Sequence, residues 1–164
     1  MSAEMRPIPF YKLIDWMKTE YQNDKSIFGI HVNKFYKNTS GNTIEMFGDK
    51  ISSPIGPAAG PNSQLAQNIV AAYLAGARFM ELKTVQIMDG EELASCVPRP
   101  CINVEDEGYN VEWSTELKVV EARDEYIKAW FAIHVVAKEL DISDIRDFIF
   151  NICSYYVVKN IYIF

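Results

Sequence analysis

The sequence is short of cysteine, histidine and uninterrupted apolar stretches, and each shortage closes a class of function. Its 164 residues include 3 cysteines and 2 histidines. Cys96, Cys101 and Cys153 form an odd set with no CxxC pair. That argues against a disulfide framework and against a four-thiolate metal site within the chain. They read as free thiols of a reducing compartment. The longest apolar stretch, Ala129 to Ala137, contains His134 and falls far short of the roughly 20 residues that span a bilayer. Near the N-terminus, Glu4, Arg6, Pro7 and Pro9 stand where a secretory signal needs an apolar run. The expected localisation is cytoplasmic, with no membrane partner. Basic excess is also missing. The net charge is −6, and residues 1–100 balance ten basic against ten acidic side chains. The whole acidic excess therefore falls in residues 101–164, around Glu105, Asp106, Glu107, Glu112, Glu116 and Glu121. Such a stripe repels phosphate backbones, so no nucleic-acid partner is expected.

What is present fits one domain with a sizeable core. The chain is 49% hydrophobic, which rules out intrinsic disorder. It shows no repeats and no low-complexity linker. After the extended Arg6-Pro7-Ile8-Pro9 lead-in, Phe10, Leu13, Ile14, Met17 and Tyr21 recur at helical spacing and predict an amphipathic helix over 10–21. Ile27 to Phe35 is ambiguous. Two short strands around Gly48-Asp49 predict a small hairpin. Pro54-Ile55-Gly56-Pro57-Ala58-Ala59-Gly60-Pro61 follows, a stretch whose small residues allow close backbone approach. Asn62 or Ser63 can cap a helix that ends near Gly76. Arg78 to Gln86 reads as a strand, short and apolar with polar groups at its C-terminal end. This strand–helix–strand succession implies parallel strands in an α/β protein. Asp89-Gly90 and Pro98-Arg99-Pro100 mark a long loop. A helix is predicted from about Thr115 to Leu140, its second half apolar nearly all round and so buried on more than one side. Asp147 to Ile152 reads as a third strand. From Phe148 to Phe164 the chain has six aromatics, no acid, one lysine and neither glycine nor proline. That composition is unlike the polar turn that should end a barrel strand.

Pro54-Ile55-Gly56-Pro57-Ala58-Ala59-Gly60 and Glu81-Leu82-Lys83-Thr84 resemble the first two barrel strands of the dihydroorotate dehydrogenase-like flavoproteins, a superfamily that includes the flavin domain of dihydropyrimidine dehydrogenase. A closer resemblance spreads over separate blocks. They are Met5 to Phe10, Ser26 to Ile30, Gly56 to Pro61, Gln64 to Val70, Glu81 to Gln86, Glu105 to Glu107, Glu112 to Glu116 and Ala129 to Ala132. Over roughly residues 4–151 these are similar to the family called "putative selenate reductase subunit", a large iron–sulfur flavoprotein with such a barrel near its N-terminus.

The resemblance implies an α/β fold, a flavin-binding (β/α)8 TIM-type barrel. It implies FMN as cofactor, with Ala58, Ala59 and Gly60 under the isoalloxazine ring. There a larger side chain would occupy the flavin's volume. Lys83 would reach the electron-rich edge of the ring, where a cation stabilises the reduced form. Thr84 would hydrogen-bond a heteroatom. All lie at strand C-terminal ends, where barrel active sites sit. On the substrate side the candidates are Glu105 and Asn110. The acids of Glu105-Asp106-Glu107 would repel a carboxylate such as orotate and argue against pyrimidine synthesis. Iron–sulfur clusters would belong to other domains or subunits, none to this chain. Its partners would be the remaining domains or other redox subunits.

Three barrel strands are expected here, against the eight of a closed barrel. The expected architecture is therefore partial and truncated. It comprises a helix and hairpin extension over 1–53, the first barrel strands and helices over 54–151, and an aberrant, out-of-frame tail over 152–164. The activity expected of the family is electron transfer between flavin and iron–sulfur centres, with the chain alone inactive. Two other readings stand beside it: a non-catalytic α/β fragment acting by association, and a dihydropyrimidine or dihydroorotate dehydrogenase-like enzyme. Taken singly, the residues have plainer readings. Ala58-Ala59-Gly60 is a turn, Lys83 a solvated strand end and Thr84 a β-former. The acids of 105–107 are a solvated loop, His134 a core histidine, and His31 no ligand. Trp113, Trp130 and Phe131 read as core, and no metal site is expected.

Overall fold

The computed structural model describes residues 6–60, 63–83 and 117–151. The first helix, α1, spans Phe10–Asp24 and buries Leu13 and Met17. It runs three residues beyond the expected end because Lys25 adopts the left-handed conformation and returns its N–H to the Tyr21 carbonyl. The ambiguous stretch resolves into a small antiparallel pair, β1 (Ser26–Ile27) and β2 (Ile30–His31), followed by a 3-10 turn over Val32–Lys34. Its tight reversal is anchored by Glu20, which accepts from Ser26 Oγ at 2.8 Å and from the Phe28 and Gly29 N–H groups at 2.9 and 2.6 Å. Burial pushes the Glu20 carboxyl up, but these hydrogen bonds, with one from the Trp16 side chain, outweigh it and hold the group below its ordinary value.

The predicted hairpin is present as β3 (Ile44–Met46) and β4 (Asp49–Ile51), in register Ile44 to Ile51. Phe47 and Gly48 form its two-residue turn, both with positive φ, as a type I′ connection requires. Helix α2 covers Ala66–Leu74. Strand β5 (Phe79–Glu81), helix α3 (Val119–Glu139) and strand β6 (Ile149–Asn151) complete a β–α–β unit. β5 and β6 pair in parallel, Phe79 opposite Ile149 and Glu81 opposite Asn151. The ladder continues on both sides, from Ile149 N–H to the Arg78 carbonyl and from Leu82 N–H to the Asn151 carbonyl, each at 2.8 Å.

Three expected features need correction. First, residues 54–60 form no strand. Pro54 and Pro57 have no N–H to give, so a regular ladder cannot form. The stretch nonetheless lies beside β5: the Ile55 carbonyl accepts from Arg78 and Phe79 N–H at 2.9 and 3.3 Å. Gly56 sits so close that a Cβ there would overlap the Phe79 carbonyl oxygen. The described residues therefore hold two paired barrel-type strands and an extended neighbour, in the spatial order 54–57, β5, β6, without closure. Second, the N-cap of α2 is Leu65 and not Ser63, while Asn62 lies outside the described residues. Ser63 Oγ is engaged with Gly60, accepting from its N–H at 3.1 Å and donating to its carbonyl at 3.0 Å. Third, the second half of α3 is not buried all round. Ala129, Ala132, Ile133, Val136 and Ala137 are buried, but Phe131 and Val135 are 51% and 43% exposed. The rings of Phe10 and Trp130 meet Phe131 at 6.4 and 5.0 Å between centres but leave half of it exposed, so Phe131 is not core.

One core joins the elements. Leu13, Met17, Ile27 and Phe35 from the N-terminal third cluster with Ile69, Val70, Tyr73 and Leu74 of α2 and with Tyr126, Ala129 and Ile133 of α3. Met80 and Leu82 are fully buried beside them. No helix among the described residues is long and apolar enough to cross a membrane.

Candidate functional site

In a parallel β–α–β unit the catalytic end is the one where the strands stop and the helices begin. Ile55 is bonded to Arg78 and Phe79. Four residues after Ile55 comes Ala59, and four after Arg78 and Phe79 come Leu82 and Lys83. The segment that carries Ala58-Ala59-Gly60 and the strand that leads to Lys83 are thus neighbours through Ile55. Ala58 and Ala59 are exposed, Gly60 and Lys83 half-buried. A Cβ built on Gly60 would meet only the Ala58 carbonyl, at 3.9 Å. Ala58-Ala59-Gly60 is thus a shelf of small residues. Thr84, Glu105 and Asn110 lie outside the described residues, as do all three cysteines and the 152–164 stretch.

Helix α3 supports this end from behind, through two consecutive side chains. Glu125 is fully buried. Its Oε2 accepts from the Ala66 N–H at 2.8 Å, and its other oxygen pairs with Lys128. Ala66 opens α2, directly after the small-residue shelf. A carboxylate from 59 residues away thus caps this helix, where positive helix-end dipole favours it. Lys128 also donates to the Ile8 carbonyl at 3.1 Å, drawing the N-terminal lead-in onto α3. Tyr126, next in sequence, donates its hydroxyl to the Lys83 carbonyl at 2.5 Å. Burial pushes the Tyr126 phenol far up, so it stays a donor. Sequence reasoning missed both residues. Glu125 followed by Tyr126 reads as ordinary helix, and their targets lie 59 and 43 positions away.

The opposite end of the unit is structural. Arg78, without solvent exposure, bonds Asp147 through Nε at 3.0 Å and the Tyr73 and Ala77 carbonyls at 2.8 and 2.9 Å. Its guanidinium lies 4.2 and 5.0 Å from the Tyr73 and Tyr36 ring centres. Asp147 also accepts from Ser52 N–H and Oγ, both at 2.6 Å. Burial raises the Tyr73 phenol pKa. A cleft of 570 Å³ opens nearby, lined by Asn38, Lys50, Ser52, Asp144 and Arg146 among others. It sits at the strand-start end, away from the shelf.

The two histidines take structural roles. His134 Nδ1 lies 2.8 Å from the Trp130 carbonyl, and its ring packs between Trp130 and Phe148. His31 Nδ1 accepts from the Asn33 N–H. Among the described residues there is no cluster of three or more His, Cys, Asp or Glu side chains suited to a metal ion.

The family described as "Oxidoreductase YgfK, N-terminal TIM-barrel domain" matches residues 28–162. Two curated relatives, each described as "Putative oxidoreductase YgfK", come from Escherichia coli strain K12 and from Escherichia coli O157:H7. Each is 50% identical over 162 residues, covering 98% of this chain. The chain spans about 15% of the length of these relatives. No solved structure matches.

Proposed function

The chain belongs to the family of YgfK oxidoreductase N-terminal TIM-barrel domains, and on that premise we propose that it builds the flavin-side wall of an oxidoreductase active site. The observation that carries this reading is the bond of Ile55 to Arg78 and Phe79, which makes the segment with the small-residue shelf a neighbour of the strand that leads to Lys83. The residues fit FMN in two respects. Ala58, Ala59 and Gly60 leave a planar aromatic ring room to approach the backbone. Lys83 supplies a cation where negative charge develops on reduction. Bound FMN would supply the exchange between two-electron and one-electron transfer.

The chain's own residues bind and orient. The shelf excludes side-chain bulk, Lys83 provides charge, and the Glu125 cap holds the turn between shelf and α2. Electrons would pass on to iron–sulfur centres carried by other parts of the full-length protein. Selenate as the final acceptor is proposed on the sequence resemblance alone.

The test is to purify the full-length protein, add FMN and record flavin absorbance after gel filtration. Retention is expected, with Lys83→Ala weakening it and Ala59→Leu abolishing it. A folded protein that retains no flavin, or one that binds it equally well in both variants, overturns the reading.

A further inference from the structure

We propose that Tyr126 is a positioning residue for Lys83, setting the cation against the flavin through the backbone of the strand end. The inference rests on the flavin reading above. Among the described residues the ladder of β5 and β6 runs to the pair Glu81–Asn151 and the bond from Leu82 N–H to the Asn151 carbonyl. Lys83 follows directly. The Tyr126 hydroxyl takes its carbonyl at 2.5 Å. A carbonyl can only accept, so the tyrosine is the donor. Tyr126 is itself fixed. It is 5% exposed and stands on the buried face of α3 with Ala122, Ala129 and Ile133. The helix that links the two strands thus pins the end of the first. A lysine whose backbone is held at one end samples fewer directions, and charge placed in advance of the reaction acts without reorganisation. The hydroxyl bonds the backbone of Lys83, so it acts through that residue.

The experiment uses full-length protein and FMN with three variants: Tyr126→Phe, Lys83→Met and the double variant. Thermal unfolding, FMN Kd and the flavin reduction potential are measured for each. Tyr126→Phe should weaken FMN about tenfold, the scale of one hydrogen bond, and lower the potential. In the Lys83→Met background the same change should alter neither quantity, because the group it positions is gone. Unchanged Kd and potential in Tyr126→Phe overturn the proposal. So does an equal effect in the two backgrounds, which would mark a merely structural bond. If Tyr126→Phe does not fold, 3-fluorotyrosine at this position keeps the shape and strengthens the donor. A shifted potential then supports the proposal and an unshifted one overturns it. A folded wild-type protein that retains no FMN removes the parent reading, and this inference with it. Retained FMN with an indifferent Tyr126 removes this inference only.

Discussion

Arg78 carries its charge into a position with no solvent exposure, and everything around it compensates. Asp147 supplies the opposite charge, the Tyr73 and Ala77 carbonyls take the donors of Nη1, the Tyr36 carbonyl accepts from Nη2 at 3.5 Å, and two tyrosine rings lie against the guanidinium. Replacing such a pair with matched apolar groups can be nearly neutral, but removing one partner strands the other. Arg78→Met should therefore cost about 3–5 kcal/mol, read as a loss of denaturation midpoint. Asp147→Asn should cost less, since the amide still accepts from Ser52. Equal losses would mean that the Ser52 bonds contribute little. Lys83 and Arg78 stand five positions apart in one strand segment and were equally plain as basic residues in the sequence. Arg78 faces inward at the strand start and Lys83 sits at the strand end, and only the paired chains decide which is structural.

At the scale of elements, the contact between 54–57 and β5 decides whether the shelf exists. The two prolines leave only the Ile55 carbonyl to bond β5, so close approach at Gly56 replaces the missing ladder. Gly56→Ala puts a methyl group into the Phe79 carbonyl. Backbone cannot yield as a flexible side chain can, and overpacking of this kind costs about 1–3 kcal/mol or more. A lower unfolding midpoint is expected, together with weaker FMN retention. A variant as stable as the parent would show that the two segments part freely. The hairpin was legible because Gly48-Asp49 is a turn signal between Ile44-Glu45-Met46-Phe47 and Ile51. The length of α1 was less so, since its end depends on Lys25 taking a left-handed conformation that lysine does not advertise. The cap of α2 was not legible at all, because the capping group comes from another helix.

Across the whole molecule, long-range bonds tie the N-terminal third to the β–α–β unit. Lys37 Nζ donates to the Leu140 and Asp141 carbonyls at 3.3 and 2.8 Å, and Ser52 meets Asp147. The core is likewise shared between α1, α2 and α3. One cooperative transition is therefore expected. Far-ultraviolet dichroism and the fluorescence of single-tryptophan variants retaining Trp16 in α1 or Trp130 in α3 should give coincident unfolding curves. Separated midpoints would show that the N-terminal third unfolds by itself. The exposed Phe131 and Val135 on α3 are the outward counterpart of this shared core, left over after its inner face is filled.

By itself the sequence determined the α/β class, the order of helix, hairpin, helix, strand, helix and strand, and a TIM-barrel oxidoreductase family. Periodicity, turn residues and short motif blocks are local, and they survive without any knowledge of what packs where. Tertiary structure alone decided the rest. It set Ile55 against Arg78 and Phe79, brought Glu125 to the start of α2 and brought Tyr126 to the end of β5. Each of those contacts joins positions at least 23 residues apart. Such contacts leave no local pattern, because a hydrogen bond depends on where two chains meet and not on how far apart they are numbered.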